Sequence, residues 1–504
     1  MKIPSDLFVC DLANNHFGDV NHAITIVEEI ARVQEQTKAN LALKFQFRNL
    51  DTYIHKEFQS RNDLKYIRRF NETKLSIDDF KFINQRIKDL GLISMATAFD
   101  EDSISVCDDL EIDILKVASA SANDYSLINE LMKLKKPLIV STGGLRQEEI
   151  DKIVFQIRGH VPDFGLMHCV SIYPTEDSDL NLWQVASFKE RYQGIRIGWS
   201  THENPLNYVP VALATSLGAT IFERHVGINS QSYPLNDYSS NPEILANWIK
   251  AQLACRAMLG TEERAPAKML ETETLLALKR GLYSKKEFNK GDLINSSDVY
   301  PAFPLRSDIS QFYSGEVTFP IRANSLINSD EPITSGNALE IATPGKHIDE
   351  VLLQARGMLS KARVEFNQDA EIELSHHYGV DRFREFGAIL ITCINEEYAK
   401  KIIIQLPRQK HPYHFHVTKK ESFQLLWGDM ELVINGKIVQ MRLGQIITVQ
   451  PGEWHKFSTL RGAVVEEIST TAFTGDSHYD DPIISKTDRE QRKTRIKNWI
   501  LSGE

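Results

Sequence analysis

The feature that most constrains this chain is an alternation that repeats through its first half. Eight short apolar or β-branched runs appear in order: LFVC (7–10), LALKFQ (41–46), LISMAT (92–97), ILKVAS (114–119), PLIVS (137–141), FGLMHC (164–169), IRIGW (195–199) and ATIFER (219–224). Between them, AITIVEEIARV, IDDFKFINQRIKDL, LINELMKLKK, EEIDKIVFQIRG and NYVPVALATSLG repeat apolar residues at i, i+3 and i+4. That spacing gives a helix one apolar face to lay against a sheet. Eight strand–helix units in about 250 residues predict an α/β fold, a closed (β/α)₈ TIM barrel over residues 1–265, with its chemistry at the C-terminal strand ends.

Polar residues fall where such a barrel needs them. Asp11, Lys44, Gln46, Lys116, Ser141, Ser171, Tyr173, Ser200, His202, Glu223 and His225 all lie at or just past a strand end. Lys44 and Lys116 are the informative pair, because each sits inside or at the tip of an apolar strand, where an unpaired ammonium is costly. They meet either a bound anion or a barrel carboxylate such as Glu223. The Gly143–Gly144 turn adds backbone N–H groups, so the site is suited to a phosphate and a carboxylate. His202 and His225 follow two successive strands. Either each ends its strand against a backbone carbonyl, or both share one metal ion.

Composition narrows the classes. The chain has 504 residues, 42% of them apolar and 25% charged, which is too long for one core and implies two to four domains. Its net charge of -10 is interspersed rather than blocked, which argues against nucleic acid as a partner. Five scattered cysteines without a CxxC pair read as reduced thiols, so a cytoplasmic setting is expected. The N-terminus carries no signal-peptide pattern and no apolar run of about 18 residues exists, so no membrane partner is expected.

After the barrel the pattern changes. Residues 277–335 read as short strands and turns, 336–380 as a connector with one helical stretch, and 381–475 as closely spaced alternating strands with turns at WGD, NGK and QPGEW. The last stretch has the spacing of a cupin, a double-stranded β-helix. His414 and His416 share one strand face, Glu421 follows five residues later, and His455 returns after QPGEW. Three imidazoles and a carboxylate suit Mn²⁺, Fe²⁺, Ni²⁺ or Zn²⁺, so a second divalent metal of unspecified identity is expected. Gln450 stands where the motif has proline, and Trp427 and Trp454 either flank a sugar or fill the core. Residues 476–504 read as a charged, solvated tail with a basic helical end.

The barrel motifs resemble the sialic acid synthase family, the phosphoenolpyruvate-dependent nonulosonic acid synthases. CDLANNHFGD is similar to the family's AEIGxNHNGD and LALKFQ to VKFQ; TAFD, LKVAS, STGG, HCVSIYP, GWSTHE and IFERHV follow in the family's order. The resemblance implies condensation of phosphoenolpyruvate with the open-chain aldehyde of an N-acyl amino sugar. It implies that His202 and His225 hold a divalent ion, Mn²⁺ by preference. Lys116, Ser141, Ser171 and Ser200, assisted by Lys44, would hold phosphoenolpyruvate, while Gln46, Tyr173 and Asp11 would face the sugar, with Asp11 a candidate for proton transfer.

The Asn289-Lys290-Gly291-Asp292 turn resembles the small antifreeze-like (SAF) domain that follows the barrel in this family. The resemblance further implies a homodimer in which an arginine of that domain, here Arg306, reaches a partner's sugar site. Three departures touch the sugar side: Asp11 shortens a glutamate, Thr201 replaces an aspartate, and Leu235 stands where an aspartate is expected, with Asp237 two residues on. Two further readings stay open: a bifunctional enzyme whose cupin isomerises or epimerises a sugar, and a non-catalytic carbohydrate-binding protein.

Overall fold

A computed structural model describes residues 2–261, 264–341, 344–366, 370–473 and 475–496. The chain divides into two compact units, Met1–Ala265 and Pro266–Glu504. In the first, eight parallel strands close a barrel in chain order: β1 Leu7–Asp11, β2 Asn40–Phe47, β3 Ile93–Ala98, β4 Ile114–Val117, β5 Leu138–Ser141, β6 Phe164–Cys169, β7 Arg196–Ser200 and β8 Ile221–His225. All eight runs read from the sequence are strands. Two crossover helices without strong periodicity, Glu101–Asp109 and Trp183–Arg191, and the helix after β8, Pro242–Leu259, complete the outer ring.

The barrel has two apolar layers. Outward strand residues such as Phe8, Leu43, Phe45, Leu115 and Val140 pack under the helices, while Leu7, Val9, Ala42, Met95, Ile114, Ile139, Met167 and Ile221 fill the interior. Each such fully buried side chain larger than alanine contributes about 1.5–3 kcal/mol. Strand side chains alternate, so the next inward positions toward the C-terminal ends are fixed by the same period. They are Asp11, Lys44, Gln46, Thr97, Lys116, Ser141, Cys169, Ser200, Glu223 and His225, and every one lines the cavity at the barrel mouth. The switch from apolar to polar along the inward face divides floor from site. Above β2, the segment leading to the Ile77–Asp89 helix carries two short helices, Leu50–Tyr53 and Lys65–Glu72, for which the sequence pattern gave no sign.

The second unit begins with a helix, Met269–Leu276, and small antiparallel sheets. Gly281–Ser284 pairs with Val299–Ala302, and Ile321–Ala323 pairs with both Leu293–Ile294 and Ala338–Glu340, around a core of Leu282, Phe288, Ile294, Val317, Ile321 and Ile333. An antiparallel β-sandwich follows. Its seven-stranded sheet contains Glu421–Gly428, Ala463–Thr470 and Tyr398–Gln405 at its centre. Its five-stranded sheet contains His455–Ser458 beside His414–His416. Phe423, Leu425, Leu432, Phe457 and Val465 fill the space between the sheets, and the helix Pro344–Ala362 covers the outer face through Val351, Leu352, Ala355 and Leu359.

The sandwich takes strands from both sides of the 381–475 stretch. Ile372–Ser375, within the expected connector, joins the seven-stranded sheet. The end of the chain is not a solvated tail: Ser477–Tyr479 pairs with His414–His416, and Lys493–Ile496 pairs with Ile372–Ser375. These are short, polar edge strands, too brief for their alternation to stand out. Part of the expected basic helix, 497–504, lies outside the described residues. Among the described residues no helix is long and apolar enough to cross a membrane.

Candidate functional site

At the barrel mouth a cavity of about 590 Å³ gathers the residues singled out from the sequence. Strand register sets their neighbours, pairing Asp11 with Lys44 and with His225, and Ser200 with Glu223. Lys44 Nζ lies 2.9 Å from Asp11 Oδ2 and 3.0 Å from Glu223 Oε1. Lys116 Nζ donates to Ser141 Oγ at 2.6 Å and stands 3.6 Å from Glu223 Oε2. The lysines therefore pair with barrel carboxylates, the second of the two readings, but unequally. Burial opposes the charge on Lys44, yet Asp11 and Glu223 together hold its pKa above the ordinary value. At Lys116, burial prevails over the more distant Glu223 and the pKa falls, which leaves that ammonium in need of another anion.

Asp11 shows the reverse balance. Burial pushes its carboxyl up, but Lys44 and His225 hold it at about 2. Gln46 Nε2 donates to Asp11 Oδ2 at 3.1 Å, and its own Oε1 accepts from Arg48 at 3.1 Å. On the opposite wall the Gly143 N–H donates to Ser119 Oγ at 3.0 Å. A Cβ at Gly143 would overlap Ser171 Oγ and come within 2.8 Å of Ser119 Oγ, so glycine keeps this hydroxyl-lined cradle open.

The two histidines stand with ring centroids 5.5 Å apart. His202 Nδ1 donates to the Val170 carbonyl at 3.1 Å, which leaves Nε2 as a lone-pair donor, and burial beside His225 takes its pKa down to about 3. Burial also lowers His225, whose Nε2 is 3.8 Å from Asp11 Oδ2. Two neutral imidazoles this close are a donor pair suited to a divalent ion with coordination positions to spare, while the nearby Asp11 carboxylate is taken by Lys44. The Tyr173 ring packs 4.1 Å from His202 and Tyr238 lies 5.2 Å from His225.

Arg48, Lys65 and Arg69 are site residues that the sequence reading missed. They make the lining five cations, with Lys44 and Lys116, against two carboxylates, Asp11 and Glu223. Arg48 lies 3.6 Å over Phe99 and 4.4 Å from Phe70, with a buried Nε that has no hydrogen-bond partner. The interleaving of basic and aromatic residues in KYIRRF (65–70) is the signal that could have revealed Lys65 and Arg69, and the FQFR run at the end of β2 the one for Arg48. Asp237 is exposed and stands apart from the barrel cavity, which Tyr238 lines instead. Arg306 belongs to the second unit, is half-exposed and pairs with Asp308 at 2.9 Å.

The sandwich holds a second convergence. One ligand-capable atom each from His414, His416, Glu421 and His455 lies within 4.8 Å of the other three, and all four residues are buried. The sheets contribute unequally: Glu421 comes from the seven-stranded sheet, the histidines from the five-stranded one. His414 Nδ1 donates to Pro412 O and His455 Nδ1 to Glu453 O, both at 3.1 Å, while His416 Nδ1 faces Ser477 Oγ at 3.3 Å. Each outward nitrogen is thus engaged and each Nε2 turned inward. His455 Nε2 and Glu421 Oε1 are 2.7 Å apart, yet neither has a hydrogen-bond partner of acceptable geometry. Two buried polar atoms so close and so oriented point at a common third atom, the arrangement of metal ligands. Burial and neighbouring imidazoles hold His414 well below its ordinary pKa, and burial takes His416 to about 4, so both are neutral donors. Trp427 packs toward the outer-helix cluster and Trp454 stacks near Tyr413 and Phe415, so neither lines the adjoining cavity.

A (β/α)₈ barrel with lysines, hydroxyls and two histidines converging on its C-terminal strand ends has the arrangement of a barrel enzyme that handles an anion. The NeuB family model matches residues 29–264. A Chromobacterium violaceum protein described as spore coat polysaccharide biosynthesis protein E is 35% identical, with a TM-score of 0.64 over 66% of this chain and 99% of that one. N-acetylneuraminate-9-phosphate synthase of Drosophila melanogaster is 27% identical across 65% of this chain and 97% of its own. N,N'-diacetyllegionaminic acid synthase of Legionella pneumophila is 25% identical across 63% and 92%. The chain belongs to the NeuB family of sialic and nonulosonic acid synthases. It is a phosphoenolpyruvate-dependent, C–C-bond-forming transferase of a family that uses a sugar substrate and typically a divalent metal.

Proposed function

We propose that the barrel condenses phosphoenolpyruvate with the open-chain aldehyde of an N-acyl amino sugar, yielding a sialic-acid-like nonulosonic acid and phosphate. C3 of the enolpyruvate bonds to the aldehyde carbon, water adds at C2, and the adduct loses phosphate by C–O cleavage. The observation that carries this reading is the under-compensated Lys116 beside the Ser141, Ser171 and Ser200 hydroxyls, opposite two neutral histidines in one cavity. Lys116, those hydroxyls and Lys44 hold the phosphate and carboxylate. Gln46, Tyr173 and Asp11 face the sugar. His202 and His225 hold a divalent ion, Mn²⁺ by preference, which when bound withdraws electron density from the aldehyde.

Asp11 is ionised at any working pH, so it accepts hydrogen bonds and orders the hydroxyls of the acceptor. The rim of Arg48, Lys65 and Arg69 adds positive charge on the acceptor side. The test is phosphate release from phosphoenolpyruvate with a panel of N-acyl hexosamines and 6-deoxyhexosamines in Mn²⁺, with mass spectrometry of the product. Phosphate release with no sugar of the panel would sink the reading.

A second divalent ion is proposed at His414, His416, Glu421 and His455, on the strength of the converging Nε2 atoms and the orphaned Glu421–His455 contact. Elemental analysis tests it: His414→Ala and His416→Ala each lose one equivalent of metal while phosphate release is unchanged.

A further inference from the structure

The metal cluster occupies one side of a cavity of about 310 Å³ inside the sandwich, and most of the remaining lining is polar or charged. That volume is near the lower limit for ligand pockets and suits a single monosaccharide. Four ligand residues account for the metal. They do not account for Lys419 and Glu467, which are buried beside them at 6% and 5% exposure. Lys419 Nζ lies 2.5 Å from Glu421 Oε2 and 2.5 Å from Glu467 Oε1, so one ammonium separates the ligand carboxylate from a second carboxylate that holds no metal. Ser469 Oγ donates to Glu467 Oε1 at 3.2 Å. Glu467 is thereby fixed on two sides while still lining the cavity. Burying such a pair is costly, and apolar residues could have filled the space as they do around Phe423 and Phe457.

The facing wall consists of hydrogen-bonding groups. His411 Nδ1 donates to the Pro412 carbonyl at 3.1 Å, so its Nε2 is an acceptor, and His377 Nε2, 3.2 Å away, is the donor. His377 Nδ1 is then a buried acceptor with no partner. Tyr479, stacked on His414, and Arg492, whose buried Nε also lacks a partner, line the same space. Unmet donors and acceptors around a polar cavity of this size match the hydroxyls of a sugar.

From this arrangement we infer that the sandwich is a second active site, a metal-dependent isomerase that interconverts an aldose and its ketose, with Glu467 the catalytic base. Glu467 takes the proton from C2 of the open-chain aldose and, after that proton exchanges with solvent, delivers one to C1. The C2–H and O2–H bonds break and the C1–H and O1–H bonds form, with no external oxidant or reductant. A divalent ion held by His414, His416, Glu421 and His455 would supply positive charge to the oxygens of the sugar. Lys419 is a positioning residue that keeps Glu467 aimed into the cavity. The inference rests on the proposed second metal and is independent of the synthase reading.

The test uses the full chain, loaded with Mn²⁺ and checked for metal content, incubated in D₂O with a panel of aldopentoses and aldohexoses and followed by proton NMR. The expected result is a ketose carrying deuterium at C1 for at least one sugar. Glu467→Gln should slow that reaction at least ~100-fold, as removal of a general base does, while keeping the second equivalent of metal, and Glu467→Asp should retain part of the rate. If the second equivalent never binds, the metal reading fails and takes the isomerase with it. If it binds but no sugar is converted, or if Glu467→Gln converts sugars at the wild-type rate, the isomerase alone is overturned.

Discussion

Lys116 and Glu223 show how a barrel interior prepares for a charged ligand. With Lys44 already committed to two carboxylates, Lys116 is the strand lysine whose charge is less satisfied. Lys116→Ala should therefore lower kcat/KM for phosphoenolpyruvate by roughly 100- to 1000-fold, the scale of losing one preorganised charge donor, as read by phosphate release. Gly143→Ala acts by shape instead: its methyl would intrude on Ser119 and Ser171, so KM for phosphoenolpyruvate should rise about tenfold or more, the effect of a cost above 1.4 kcal/mol. Barrel metal content should be unchanged. His16 reports on stability. It is buried, accepts from the Gly18 N–H at 3.1 Å, and is held by burial and by His22 at about 4 against an ordinary 6.5. Its contribution is complete above pH 6.5 and is lost as the pH falls toward 4, because the unfolded chain takes up the proton first. The full effect is about 3 kcal/mol. Denaturant titrations of His16→Gln should show a shallower loss of stability across that window than the wild type.

At the scale of elements, legibility followed periodicity. The eight barrel strands stood out because each is buried on both faces and reads as a continuous apolar run. Their ends were also enough to place Asp11, Lys44, Gln46, Lys116 and Glu223 at the barrel mouth. The cupin ligands were visible because period 2 makes His414 and His416 co-facial. Arg48, Lys65 and Arg69 were not, because they sit on an irregular excursion above β2 whose Lys65–Glu72 helix buries no residue. Glu467 and Lys419 escaped notice because a buried charge looks, in sequence, like any outward residue of a sandwich strand. The closing strands Ser477–Tyr479 and Lys493–Ile496 are three and four residues long and gain their identity only from the edges they cover. Ending the chain after Gly475 should therefore expose the edges of His414–His416 and Ile372–Ser375. It should also remove Ser477 and Tyr479 from beside the metal ligands. The expected outcome is loss of the sandwich's equivalent of metal and increased aggregation, measured by elemental analysis and light scattering, with phosphate release by the barrel retained.

For the molecule as a whole, the apolar clusters of the barrel and of the sandwich share no residue and fall in different compact units. A chain with separate cores is not bound to unfold in one step. Calorimetry should resolve at least two transitions, and metal provides the means to assign them. An ion that binds only the folded sandwich stabilises it by about 4 kcal/mol when present at a thousandfold its Kd. For a unit of this size that corresponds to an upward shift of roughly 10 °C. Chelation should abolish the shift. In His416→Ala the sandwich transition should no longer respond to added metal, while the barrel transition keeps whatever response His202 and His225 confer. His202→Ala should show the opposite pattern. A single transition that moves as one in both variants would mean that the two metal sites are thermodynamically one system, and the two proposed chemistries could then no longer be treated as independent activities on one chain.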